Sequence, residues 1–117
     1  MNLRAIRGAI QVGANTPEEI SFGVKELLPA ILQANSLTPE QVISVLLTCT
    51  PDLNAAFPAA SAREIGFGAV PLLCAVEMDV PGSLPLVIRV MMHAELESEA
   101  KHIYLRGATV LRKDIAQ

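Results

Sequence analysis

The sequence predicts a mixed β-sheet carrying one long helix, of the α+β or α/β class. Three observations carry this expectation. Side chains alternate with period two over residues 2–12 and 87–94, as strands require. Over residues 17–34 the apolar positions recur instead at helical spacing behind a helix-start signal. A continuous β-branched run, Val42-Ile43-Ser44-Val45-Leu46-Leu47-Thr48, has the composition of a strand covered on both faces.

Taken in order, residues 2–12 place Leu3, Ala5, Arg7 and Ala9 on one face of a strand and Ile6, Gly8 and Ile10 on the other. Gly13-Ala14-Asn15 ends it. In Thr16-Pro17-Glu18-Glu19, Thr16 can cap a helix, Pro17 suits its first position, and Glu19 completes a capping box. Ile20, Val24, Leu27, Leu28, Ile31 and Leu32 then form the apolar stripe of a helix over 17–34. Pro29 should kink or weaken its middle. Thr38-Pro39-Glu40-Gln41 repeats the start signal, but the β-branched run behind it predicts one helical turn followed by a strand. Thr50 to Asn54 is a loop, and Pro58 opens a short helix that Gly66 closes. Ala69 to Val76 reads as a strand whose Pro71 belongs on an edge or at the strand start. Residues 77–82 are irregular. Val87 to Ala94 alternates Ile88, Val90 and Met92 against Arg89, Met91 and His93. After a polar connection over 95–101, His102–Leu105 and Ala108–Leu111 read as short strands around Arg106-Gly107.

The length of 117 residues fits one domain spanning 1–117. Half of the residues are hydrophobic (51%) and only 18% are charged, which excludes disorder. The mean hydropathy of +0.42 is high for a small soluble monomer. The surplus apolar surface suits a subunit interface. A net charge of −3 argues against nucleic acid as a partner. No apolar run reaches a membrane span, and the N-terminus, with Arg4 and Arg7, has no signal-peptide core. Cys49 and Cys74 lack metal-type spacing and read as free thiols of a reducing cytoplasm.

No side-chain constellation for nucleophilic, metal or phosphate-loop chemistry stands out. What remains is charge inside strands. Arg7 and Arg89 each fall in the middle of an apolar strand, which is costly unless the charge is exposed, paired or used. Six of the nine basic residues are Arg, the side chain suited to bidentate recognition of small anions. Glu77 directly follows the strand ending at Val76, and Tyr104 is the only Tyr. The plainer alternatives are an exposed sheet face or a structural ion pair for the two Arg, a solvated strand end for Glu77, and an inert thiol for Cys74.

Several segments together resemble the small monofunctional chorismate mutases that form trimers of the pseudo-α/β-barrel type. They are Arg4-Ala5-Ile6-Arg7-Gly8-Ala9, Thr50-Pro51-Asp52-Leu53 with Ala56-Phe57-Pro58-Ala59, Ala62-Arg63-Glu64, and Val70-Pro71 with Cys74 and Glu77-Met78-Asp79-Val80. Ile88-Arg89-Val90-Met91-Met92, His102-Ile103-Tyr104-Leu105, and Ala108 with Val110-Leu111-Arg112 complete the set in order over nearly the whole chain.

The resemblance implies an α+β domain with a mixed five-stranded sheet, a homotrimer with active sites at subunit interfaces, and a cytoplasmic place in phenylalanine and tyrosine biosynthesis. It implies conversion of the dicarboxylate chorismate to prephenate by a Claisen [3,3] rearrangement, with no metal or cofactor. It assigns catalysis to Arg89, Glu77, Arg7 and Tyr104. Arg89 would face the ether oxygen, Glu77 the ring hydroxyl with help from Cys74, and Arg7 and Tyr104 the side-chain carboxylate. Phe57, Ala59 and Arg63, with Leu72, Leu73 and Cys74, would form a wall from a neighbouring subunit. Leu111 and Arg112 would belong to a segment closing over the site. Two positions depart from the family pattern. Ala60 stands where relatives can carry a Lys, and Leu73 replaces a Thr. Two competing readings share an anion-binding cleft: an enamine/imine deaminase-like trimer and a non-enzymatic regulatory trimer.

Overall fold

A computed structural model describes residues 1–112. Its elements are β1 (Asn2–Gln11), α1 (Pro17–Ala34), a 3-10 turn at Pro39–Gln41, β2 (Val42–Cys49), α2 (Pro58–Ala62), β3 (Leu72–Val76), β4 (Val87–Leu96), β5 (Ile103–Leu105) and a 3-10 helix over Arg106–Arg112. The five strands form one mixed sheet in the order β3-β2-β4-β1-β5. β4 pairs antiparallel with β1 and β2, while β5 and β3 add in parallel at the two edges.

One face of the sheet receives α1. Ile20, Val24, Leu27, Leu28 and Ile31 bury the helix stripe against Ile6, Ile10, Ile88 and Met92. Each such side chain contributes roughly 1.5–3 kcal/mol when fully buried, so this layer holds the fold together. Two glycines set its spacing. A Cβ on Gly8 of β1 would lie 2.6 Å from Ile31 Cδ1, and one on Gly23 of α1 would lie 2.5 Å from Val12 Cγ1. Thr16 caps α1 as expected, accepting from Glu19 N–H at 3.0 Å. The Glu19 carboxylate, however, accepts from Gly13 N–H at 2.8 Å. It ties the helix to the end of the preceding loop and does not close a box on Thr16. The helix also runs through Pro29. That residue is exposed, so its ring meets solvent while Leu27, Leu28 and Ile31 keep their packing.

Three further expectations need revision. The strand expected over 69–76 is shorter, with Pro71 immediately before it on the sheet edge; Val45 N–H donates to Pro71 O at 2.9 Å. The helix from Pro58 widens after Ala62 into a turn that Gly66 ends at φ 105°. Residues 108–111 are not a strand but part of the C-terminal 3-10 helix. Arg106 turns the chain at φ 54°, and Ala108 is buried with Ala9, Val87 and Tyr104. The segment therefore folds over a sheet face and does not extend the β5 edge.

The β-branched run forms β2, but α1 covers only one of its faces. Val45, Leu47 and Cys49 are buried beneath the helix layer, whereas Leu46 and its β3 neighbour Leu73 face outward, Leu73 with 66% of its surface accessible. Among the described residues no helix is long and apolar enough to cross a membrane.

Candidate active site

The sheet face opposite α1 carries the charge. Its pairing aligns one row of residues across the strands: Ala75 beside Thr48, Thr48 beside Arg89, Arg89 beside Ala9, and Ala9 beside Tyr104. The next row places Leu73, Leu46, Met91 and Arg7 side by side. Arg7 and Arg89 are thus diagonal neighbours on adjacent strands. The sheet register itself brings them together from positions far apart in the chain.

Glu77 enters from the end of β3, where its N–H donates to Cys49 O at 2.8 Å. Its Oε2 lies 3.8 Å from Arg89 Nε and accepts a hydrogen bond from the Thr48 hydroxyl. The Arg89 and Glu77 side chains keep 46% and 27% of their surface accessible. An ion pair this exposed stabilises the fold little. Its effect is orientation: Glu77 meets Arg89 on the Nε side, and both side chains line one cleft. The backbone N–H of Arg7 donates to His102 Nδ1 at 2.9 Å, which locks β1 to the start of β5 at this level. Among the described residues the Arg7 guanidinium makes no ion pair.

Arg7, Thr48, Glu77, Arg89 and Tyr104, with Leu46 and Met91, line one cleft of about 210 Å³. Two guanidinium groups against one carboxylate make it a site for a small anion. Among the described residues no group of three or more His, Cys, Asp or Glu is placed to hold a metal ion. Thr48 is the site residue that sequence reasoning missed. As one β-branched residue in a β-branched strand it carries no signal of its own; only the pairing with Arg89 reveals it.

A second, larger cavity of about 510 Å³ lies beside the β2–β3 edge, lined by Cys49, Leu53, Phe57, Pro58, Cys74 and Val76 among others. Among the described residues, none lines both cavities. The loop that shapes the second cavity is tied down: Asn15 Oδ1 accepts from Asn54 N–H and Ala55 N–H, each at 3.0 Å. Phe57 stands at its rim with 75% of its surface accessible. Burial, and after it the proximity of Cys74, Asp52 and Glu77, pushes the Cys49 thiol up from 9.0 to about 12.

The comparisons with known proteins agree with this geometry. A family model described as chorismate mutase type I matches residues 3–115. The chorismate mutase AroH of Bacillus subtilis (strain 168) is 44% identical over 120 residues, covering 99% of this chain and 94% of that protein. The Thermus thermophilus chorismate mutase AroH is 47% identical over 117 residues, covering 97% and 96%.

This chain belongs to the chorismate mutase type I family.

A solved chorismate mutase from Clostridium thermocellum superposes with a TM-score of 0.89 at 45% identity, over 92% of this chain and 98% of that one. This removes the enamine/imine deaminase reading. Of the residues expected for a chorismate mutase site, Arg7, Glu77, Arg89 and Tyr104 meet in the cleft. Leu111 packs against the small cluster of Ala9, Val87, Tyr104 and Ala108; the side chain of Arg112 lies outside the described residues. The expected wall residues stand elsewhere in the chain. Phe57 and Cys74 line the second cavity, Leu72 packs partly into the core, and Leu73 is exposed. Arg63 is exposed just beyond α2. Ala59 is buried in the core.

Proposed function

We propose that this chorismate mutase family member converts chorismate to prephenate in the Arg7–Glu77–Arg89–Tyr104 cleft. The observation that carries this reading is the convergence of those four side chains, from β1, the end of β3, β4 and β5, on one cleft of the family scaffold. The reaction breaks one C–O bond and forms one C–C bond within a single molecule. It moves no proton and uses no nucleophile, so the site has two tasks. It must hold a dicarboxylate in its compact conformer, which places the reacting carbons together. It must also favour the charge separation of the transition state over the ground state.

Arg89 performs the second task. As the C–O bond breaks, negative charge grows on the ether oxygen, and a guanidinium already fixed by Glu77 needs no reorganisation to meet it. Glu77 accepts from the ring hydroxyl and lies nearer the positive character of the ring. Arg7 and Tyr104 hold the side-chain carboxylate. Thr48 keeps the Glu77 carboxylate in place. Cys74 assists at the hydroxyl, and Arg63 and Arg112 draw in the dianion at the mouth.

Phe57, Ala59, Leu72, Leu73 and Cys74 reach this cleft from a second copy of the chain. Support comes from their absence from the cleft lining within one chain, from the outward apolar side chains Leu46 and Leu73, and from the open edge of β3. Three copies give a homotrimer with a pseudo-α/β barrel and active sites at the interfaces, each copy being one domain over residues 1–117. A cytoplasmic location suits its free thiols and a role in aromatic amino acid biosynthesis.

The test is a continuous assay of chorismate with purified protein, with light scattering on the same sample. Loss of chorismate with prephenate as sole product from a trimer is expected. A trimer that binds chorismate without converting it would instead identify a non-enzymatic regulatory protein, and a stable monomer would remove the shared site.

A further inference from the structure

The turn between β5 and the C-terminal 3-10 helix is gripped from two sides. Arg106 stands in it at φ 54°, a left-handed conformation that disfavours any residue with a Cβ. Its guanidinium lies 2.8 Å from Glu26 Oε1, and its Cζ sits 4.8 Å from the centroid of the Phe22 ring. Phe22 and Glu26 are one helical turn apart on α1, so they present a single docking face. On the other side, a Cβ on Gly107 would fall 1.7 Å from Gln11 Oε1 of β1. Gln11 is itself held, donating from Nε2 to Pro85 O at 3.0 Å.

These contacts lie outside the core. Phe22 keeps 52% of its surface accessible, and the Arg106 and Glu26 side chains are more than a third exposed. Contacts of this kind add little to global stability, but they can select one conformation of a turn that is unfavourable in isolation. The turn matters for what flanks it. Tyr104 lies two residues before Arg106, while Ala108 and Leu111 follow it and pack with Tyr104 over Ala9 and Val87. The planar guanidinium serves both contacts at once, its edge toward the carboxylate and its face over the ring, which an ammonium cannot do.

We infer that Arg106 is a positioning residue of the active site: clamped to Phe22 and Glu26 of α1, it holds the β5 turn so that Tyr104 and Leu111 stand where the substrate binds. The kinetic part of this inference rests on the chorismate mutase reading, so a second readout is independent of turnover. Arg106→Gly removes the clamp and the left-handed cost together; Glu26→Gln removes one contact and leaves the backbone unchanged. Both should raise KM for chorismate, Arg106→Gly by roughly five- to tenfold with kcat within about twofold, because binding groups are displaced while Arg89 is not. Arg106→Lys should recover part of the loss. Combining Glu26→Gln with Arg106→Gly should add nothing to Arg106→Gly alone, since both break one contact. Amide hydrogen exchange over residues 104–108 should be about tenfold faster in Arg106→Gly, with α1 unchanged. An unchanged KM with unchanged exchange would overturn the clamp, as would a fall in melting temperature with kinetic constants intact. If the wild type leaves chorismate untouched, the proposed activity fails, and the exchange data alone decide whether Arg106 positions the turn. Should Arg106→Gly not fold, Glu26→Gln on the exposed helix face carries the same test.

Discussion

The two cavities beside β2 and β3 differ in how they are built. The charged cleft is made by sheet register: Thr48, Arg89, Ala9 and Tyr104 stand in one row because four strands pair in that alignment. The apolar cavity is made by a loop, from Pro51 to Pro58, laid beside a sheet edge and fixed by Asn15. The cleft holds a paired Arg89 and Glu77 beside an Arg7 guanidinium with no ion pair among the described residues; the cavity has an exposed aromatic at its rim and, among the described residues, no charged side chain in its lining. One half can orient a dianion and the other can exclude water from it, but within one chain they are separate. In the proposed shared site, the charged half of one copy supplies electrostatics and the apolar half of another supplies enclosure.

The strongest way to break the comparison is to remove the electrostatic half. Arg89→Ala should lower kcat by ~10²–10³, as loss of one preorganised donor typically does. Arg89→Lys should also fail badly, because one ammonium cannot both engage Glu77 and reach the ether oxygen. A mild effect of either, measured in the chorismate assay, would remove Arg89 from the reacting atoms.

Thr48→Val tests the support behind that donor. It keeps the strand shape and deletes the hydroxyl that Glu77 accepts from. A loss of roughly threefold to tenfold in kcat, with melting temperature nearly unchanged, is expected for one orienting hydrogen bond. An equal loss in stability would make Thr48 a folding residue.

Arg63→Ala probes the rim. If its role is to attract the dianion at the mouth, as proposed, the change should raise KM more than it lowers kcat. A collapse of kcat with KM intact would move Arg63 into the reacting centre.

The smallest effect concerns the inner wall of the apolar cavity. With its thiol pushed up to about 12, Cys49 stays protonated in the fold and should resist alkylation at pH 8, where its thiolate fraction is on the order of 10⁻⁴. Burial opposes the charged form, so the native state is unaffected below about pH 9 and loses stability between pH 9 and 12, where the unfolded chain ionises first. Melting curves across that range should show a decline to which Cys49→Ala contributes less.

Much of the candidate site was legible in the sequence because charge inside an apolar strand is anomalous. Arg7 and Arg89 stood out for that reason, and Glu77 for its place at a strand end. Thr48 was not legible, since its role depends on which strand pairs with which. The helix over 17–34 followed from its stripe and cap, but the partner of Glu19 did not: Gly13 is brought within reach only by the folded loop. The expected strand over 108–111 failed for a related reason. Val110 and Leu111 alternate plausibly, but the left-handed turn at Arg106 and the burial of Ala108 direct the segment across the sheet face.

Subunit mixing tests most directly whether the two halves form one site across copies. Arg89→Ala keeps its apolar half; Phe57→Asp, at an exposed position, keeps its charged half and repels the dianion from the other. Each parent should be nearly inactive. Unfolded together in equal amounts and refolded, they should recover about a quarter of wild-type activity, because half of the clefts are intact and half of those meet an intact wall. Mixed trimers that form, as mass spectrometry would show, and remain as inactive as their parents would contradict a shared site.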